Sequence, residues 1–319
     1  MSSRLSLLPA LLALCLLGLV FSAGAQASGG TAYGWGENDS GQAGSGTPGT
    51  DVLTPAPVAG LSGVTQVAGG YEHALALLSD GTVRAWGENS YGQLGNGTTT
   101  ESLTPVPVSG LSGVVAVAAG GENSFALLAN GTVVAWGDNE YGELGNGATS
   151  GPETCGSSAC SKVPVPVPGL SNVVAIAAGY YYGVALLSNG TVMTWGYNYY
   201  GEVGDGAGTP EEGCECVSTP QPVPGVSGAI AISAGWYQAA ALLQDGTVKD
   251  WGWNYYGDLG GGFDSSASPP KMQLLHGGYC QRRVWRQSDH RRRLSRSRAL
   301  RRRCRSLLGF QRIRPARPR

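Results

Sequence analysis

Residues 69–95 read Gly-Gly-Tyr-Glu-His-Ala-Leu-Ala-Leu-Leu-Ser-Asp-Gly-Thr-Val-Arg-Ala-Trp-Gly-Glu-Asn-Ser-Tyr-Gly-Gln-Leu-Gly. The same grammar returns around Trp136, Trp195 and Trp251, and its second half already stands at Trp35. Successive tryptophans lie 51, 50, 59 and 56 residues apart. A period near 50 residues marks a repeat architecture, in which each unit buries its apolar face only against its neighbours.

Within one period, Val64–Ala68, Ala74–Leu78 and Thr82–Trp86 alternate small or polar with apolar residues, as strands packed on both faces do. Asp80-Gly81 joins the second strand to the third, with Asn130-Gly131, Asn189-Gly190 and Asp245-Gly246 in the same place. Such pairs predict two-residue hairpins with positive φ at their centre. A Pro-Val stretch such as Pro105–Val108 supplies a fourth strand, where proline is tolerated at an edge. Four short antiparallel strands per repeat predict an all-β chain, a β-propeller of four-stranded blades whose tryptophans fill the space between blades. The sequence holds about five blades' worth, with a half-unit at Gly34–Gly46 that lacks its preceding strands.

The pattern Ala-Gly-Gly-x-x-His-x-Leu-Ala-Leu, Asp-Gly and Trp-Gly-x-Asn-x-x-Gly-Gln-Leu-Gly resembles the repeat of the regulator of chromosome condensation. It is carried by Gly69, Gly70, His73, Ala76, Leu77, Asp80, Gly81, Trp86, Gly87, Asn89, Gly92, Gln93, Leu94 and Gly95. The resemblance covers roughly residues 31–270. It implies a propeller, usually seven-bladed, closed by strands shared between the two chain ends, and it leaves function open.

Arg4, the apolar run Leu5–Phe21 and Ala23-Gly24-Ala25 read as a secretory signal (1–25) with a small-x-small cleavage site. The repeats (26–275) follow, and a tail (276–319) closes the chain. An exported chain puts its cysteines in an oxidising compartment. Cys155 and Cys160, and Cys214 and Cys216, lie in the insertions of the two longest units and read as disulfide candidates with three connectivities open; a four-cysteine zinc site is the competing reading.

Charge divides the chain. Residues 26–279 carry 4 basic and 21 acidic residues, net −17, whereas 280–319 carry 16 arginines and one acid, net +15. Arginine runs neutralise phosphates, so a genuine tail would favour nucleic acid. The tail, however, has no hydrophobic period and no turn grammar. Codons allowed for Leu308–Arg317, read one base later, can spell Trp-Gly-Ser-Asn-Glu-Tyr-Gly-Gln-Leu-Gly, nearly the segment Trp136–Gly145. The tail therefore reads as frameshifted and disordered, with no nucleic-acid partner expected and no membrane contact after signal cleavage.

No nucleophile elbow or phosphate loop is present, and His73 is the one histidine before residue 276. Catalytic residues, cofactors and metals are accordingly not expected. Glu88, Asp138 and Glu140 occupy turn positions and read as solvated carboxylates. An acid pair lining a cleft would instead make the chain an exported hydrolase. What varies between repeats is aromatic: Tyr71, Tyr180, Tyr181, Trp236 and Tyr237 after the Ala-Gly step, and Tyr197, Tyr199, Trp253 and Tyr255 after the Trp-Gly step. Tyr and Trp at loop positions bury large area at low entropic cost, so these nine are the candidate binding residues. Tyr91, Tyr141, Tyr200 and Tyr256 recur in register and read as packing residues. The secreted β-lactamase inhibitor propellers of the resembled family hold their target by such loop residues. The expectation is a secreted, periplasmic or cell-surface protein, non-enzymatic, that binds a protein or a glycan.

Overall fold

The computed structural model describes residues 29–47, 49–206 and 216–261. The expected signal (1–25), the arginine-rich tail (276–319) and Cys214 lie outside them. Among the described residues every regular element is a β-strand, paired antiparallel with its neighbours.

A two-stranded ribbon, β1 (Tyr33–Gly36) with β2 (Val52–Pro57), begins the arc. The first full blade is β3 (Val64–Gly69), β4 (His73–Leu78), β5 (Val83–Gly87) and β6 (Ser102–Pro107), in that spatial order. The second is β7 (Val114–Ala119), β8 (Asn123–Leu128) and β9 (Val133–Asp138). A small hairpin strand, β10 (Glu153–Cys155), forms its outermost edge beside β11 (Ser158–Pro166), which pairs with β9. The third is β12 (Val173–Ala178), β13 (Tyr182–Leu187), β14 (Val192–Gly196) and β15 (Val217–Pro222). The fourth has three strands, β16 (Ala229–Ala234), β17 (Gln238–Leu243) and β18 (Val248–Gly252). The chain is thus an all-β propeller with four blade sheets and a partial one. The Pro-Val stretch does supply a fourth strand, and it closes the outer edge of the preceding blade, where a missing proline N–H faces away from the ladder.

The hairpins correct one expectation. Gly81 N–H bonds to Leu78 O (2.9 Å) and Leu78 N–H to Thr82 O (2.9 Å), so the loop has three residues, Ser79-Asp80-Gly81, and Gly81 alone takes positive φ (77°). That is a type I turn followed by a glycine bulge. Asp80 stays at negative φ because its carboxylate is occupied elsewhere: Oδ1 accepts from Thr82 N–H (2.9 Å) and Thr82 Oγ1 (2.7 Å).

Tryptophan closes each seam between neighbouring sheets. Trp86, Trp136, Trp195 and Trp251 are 0–4% exposed. Each indole N–H donates to the carbonyl of the Gln/Glu in the preceding repeat's Gly-Gln/Glu-x-Gly segment: Gln42 (2.9 Å), Gln93 (2.8 Å), Glu143 (2.8 Å) and Glu202 (2.9 Å). Burying one such ring contributes about 4–6 kcal/mol gross by area, the largest single contribution at a seam. Leu75, Val83, Ala85, Val114 and Val117 pack around Trp136, and equivalent sets surround Trp195 and Trp251. Trp35, in the ribbon that begins the arc, is 62% exposed.

Candidate functional site

The hairpin between the second and third strands of a blade sets two loop residues side by side at the opposite strand end. In the first blade Glu88 N–H donates to Glu72 O (2.9 Å), and in the second Asp138 N–H donates to Glu122 O (2.9 Å). In the third the pair is Tyr197 with Tyr181 (2.9 Å), and in the fourth Trp253 with Tyr237 (2.8 Å). The glycine after each tryptophan makes this approach possible: Gly137 has φ 100°, and a Cβ there would lie 2.3 Å from Glu122 O. One backbone arrangement therefore carries paired carboxylates on two blades and paired aromatic rings on the next two.

All nine aromatic residues singled out from the sequence meet in one network. Tyr71, Tyr180 and Trp236 touch one another edge-on, with ring centroids 5.4–6.0 Å apart. Tyr180 meets Tyr181 (4.4 Å) and Tyr237 (6.2 Å); Tyr197 meets Tyr181 (5.9 Å) and Tyr199 (6.2 Å); Trp253 meets Tyr237 (5.8 Å) and Tyr255 (6.2 Å). Such offset and edge-on contacts suit ring quadrupoles. Three of the recurrent tyrosines, read as packing residues, belong to the same network. Tyr141 lies 5.2 Å from Tyr181 and 5.0 Å from Tyr197, Tyr200 lies 5.8 Å from Trp253, and Tyr256, 75% exposed, lies 5.8 Å from Trp253. Recurrence in register located them at loop tips but did not show that neighbouring blades bring rings against them.

Three members of the network, Tyr71, Tyr180 and Trp236, together with the glycine-rich ends of the innermost strands β3, β7, β12 and β16, line an axial cavity of about 310 Å3. The second blade puts Gly121 where the others put a ring, and Tyr180 fills that space: a Cβ on Gly121 would lie 2.8 Å from Tyr180 Cδ1. Trp236 (62% exposed) and Tyr71 (54%) present their surfaces to solvent.

The carboxylates correct a second expectation. Asp138 is 2% exposed, not a solvated turn residue, and Glu143 and Glu202 are fully buried. The Glu143 carboxylate occupies the slot that Gln93 fills in the preceding repeat. Its Oε2 accepts Tyr141 N–H (2.8 Å), while its Oε1 and Asp138 Oδ1 have no partner. Burial first, and then their mutual repulsion, holds Glu143 well above the usual carboxylate range; burial likewise raises Asp138. Glu122 is pushed up to about 7 by burial and by Asp138, Glu88, Glu72 and Glu140.

His73 is 2% exposed, its Nε2 is 2.9 Å from Ser124 Oγ, and burial lowers its pKa to about 4, so it is neutral and structural. None of the residues lining the axial cavity is acidic. Among the described residues no group of three or more His, Cys, Asp and Glu has metal-binding geometry. Cys155 and Cys160 form a disulfide that clips the β10–β11 hairpin, and Cys216 is also disulfide-bonded.

The Regulator of chromosome condensation (RCC1) repeat model matches residues 29–77, 80–127, 130–186 and 189–242. The chain is 33% identical over 241 residues to the ultraviolet-B receptor UVR8 of Arabidopsis thaliana, covering 74% of this chain and 52% of that protein. It is 32% identical over 253 residues to the human E3 ubiquitin-protein ligase HERC2, covering 78% of this chain and 5% of that protein. Among solved structures, Prp20p of Saccharomyces cerevisiae superposes with a TM-score of 0.62 at 26% identity over 74% of this chain and 57% of that one; its structure is described with its binding to Gsp1p and histones. The chain spans about half the length of UVR8 and of Prp20p.

Proposed function

The chain belongs to the RCC1 repeat family, and from that premise we propose that it is an exported, non-catalytic scaffold that holds a protein partner on the aromatic face around its axial cavity. The observation that carries this reading is the continuity of the face: rings supplied by four blades, about 50 residues apart in sequence, form one uninterrupted patch. Folding alone does not require that. Tyr71, Trp236, Tyr255 and Tyr256 keep 45–75% of their surface in solvent. Apolar patches of this kind on a folded surface mark interaction sites, and rigid aromatic residues are the usual anchors of protein interfaces. Prp20p, with its described binding to Gsp1p and histones, is a family precedent for protein recognition. Export rests on the apolar N-terminal run, and the disulfides suit an oxidising compartment.

The test is affinity capture with the full chain against its Tyr180→Ala/Trp236→Ala variant, followed by protein identification and by protease treatment of the bound material. The reading expects a protein set retained by the native chain and lost from the variant. Equal capture by both chains refutes it, and protease-resistant glycan in place of protein moves the ligand to that class.

A further inference from the structure

Resting on the reading of this face as a protein-binding surface, we infer that the partner presents a cationic segment, whose arginine or lysine side chain seats where the Glu122/Asp138 pair of the second blade meets Tyr180 and Tyr181 of the third. The two kinds of loop pair abut there. Tyr141, three residues beyond Asp138, carries its ring to 5.2 Å from Tyr181, and Gly121, next to Glu122, lies directly under Tyr180. Carboxylates and aromatic rings side by side are what a guanidinium or ammonium group requires: opposite charge on one flank and a π face on the other.

Among the described residues the acidic side has no counterion of its own. Only three cations fall among the described residues, Arg84, Lys162 and Lys249. Lys162 is bound to Glu153 (2.7 Å), and Arg84 and Lys249 stand near the hairpin aspartates Asp80 and Asp245, at the opposite strand ends. Glu72, Glu88, Glu122, Asp138 and Glu140 therefore face one another uncompensated. Asp138 is buried beside Glu143, so the half-buried Glu122 is the carboxylate of the pair that an outside group can reach. A cation docked against Glu122 relieves the repulsion in one contact. A neutral glycan would leave the repulsion standing.

The probe is a fluorescein-labelled arginine–glycine repeat peptide, titrated into the purified full chain and followed by anisotropy. Its comparator is the same peptide with citrulline for arginine, which keeps the shape and loses the charge. The proposal expects the arginine peptide to bind and the citrulline peptide to bind at least about tenfold more weakly. Glu122→Gln, which relieves repulsion and so leaves folding intact, weakens the arginine peptide by roughly tenfold, and Tyr181→Leu by roughly two- to fivefold. Asp245→Asn removes the same charge from the far strand end, into a slot where the other repeats already carry Asn130 and Asn189; it leaves binding unchanged. Equal binding of the two peptides, or equal effects of Glu122→Gln and Asp245→Asn, overturns the proposal. Binding that appears only after the tail arginines are changed to serine assigns the face to the chain's own segment and also overturns an outside partner. If the arginine peptide fails while the Tyr180→Ala/Trp236→Ala variant still loses its captured proteins, the scaffold stands and the cationic partner falls.

Discussion

Glu143→Gln should stabilise the protein, and by an amount that depends on pH. In the preceding repeat the same slot holds Gln93, whose Oε1 accepts Tyr91 N–H (3.0 Å) and whose Nε2 donates to Glu88. In the next repeat Glu143 accepts the equivalent Tyr141 N–H (2.8 Å), but it faces Asp138 with another acceptor, and both Glu143 Oε1 and Asp138 Oδ1 are left unpaired. The substitution installs the donor that the neighbouring repeat already uses. An unmade buried hydrogen bond costs roughly 1–3 kcal/mol, and a bond to a carboxylate contributes somewhat more than a neutral one, so a gain of about 3 kcal/mol is expected at pH 8. For a chain of this size that is roughly 6–12 °C in Tm. Glu143 is held above its ordinary 4.5 by burial and by Asp138, so its penalty is absent below that value and grows as pH rises towards the folded-state pKa. At pH 5 the native carboxyl is protonated and donates for itself, and the gain should shrink below about 1 kcal/mol. Differential scanning calorimetry of both chains at pH 5 and pH 8 decides the matter. An unchanged or lowered Tm at pH 8, or the same gain at both pH values, would refute the internal-repeat reasoning.

Other perturbations probe the seams, the loop pairs and the face. Trp136→Ala removes a fully buried ring and its bond to Gln93 O, and should cost about 3–5 kcal/mol in chemical denaturation; a loss under about 1 kcal/mol would mean that the tryptophan does not hold the seam. Gly137→Ala forces a side chain into φ 100° with its Cβ against Glu122 O, so it should cost more than about 2 kcal/mol and weaken the arginine peptide as well, measured by thermal melt and anisotropy together. Arginine-peptide binding should fall as pH drops from 8 to 6, because Glu122, at about 7 and facing Glu72, Glu88, Asp138, Glu140, Tyr91, Tyr180 and Tyr181, loses its charge. The same raised pKa makes its contribution to folding more favourable as pH falls, so binding and this share of stability move in opposite directions; a flat binding profile counts against the site. Replacing Cys155 and Cys160, five residues apart, by alanine together should cost only about 2 kcal/mol by loop entropy, seen as a small Tm drop against the native chain under the same non-reducing conditions.

Most of the blade was legible in the sequence because its determinants are local. Alternation set β3, β4 and β5, the Asp-Gly and Asn-Gly pairs located the hairpins, and the tryptophan period gave the number of sheets. The length of the hairpin loop was not legible. A two-residue turn and a type I turn with a glycine bulge share the same Asp-Gly signature, and only the Leu78–Thr82 register separates them. The nine aromatic residues were visible as departures from the repeat, while Tyr141 and Tyr200 were hidden by conforming to it.

The sequence by itself determined which residue type stands at each position of each repeat: acidic in the first blades and aromatic in the last, at the same two loop positions. Only the tertiary structure decided that these positions touch from one blade to the next. Glu122 and Asp138, 16 residues apart, face each other across the Asn130-Gly131 hairpin that the sequence already locates, whereas Tyr141 and Tyr181 are 40 apart on different blades and no local pattern couples them. The radial packing of blades, fixed by buried tryptophans and by glycines that admit close backbone approach, brings them into contact. It also buries Asp138 and Glu143, whose turn-like sequence context reads as solvated, because the neighbouring blade covers them.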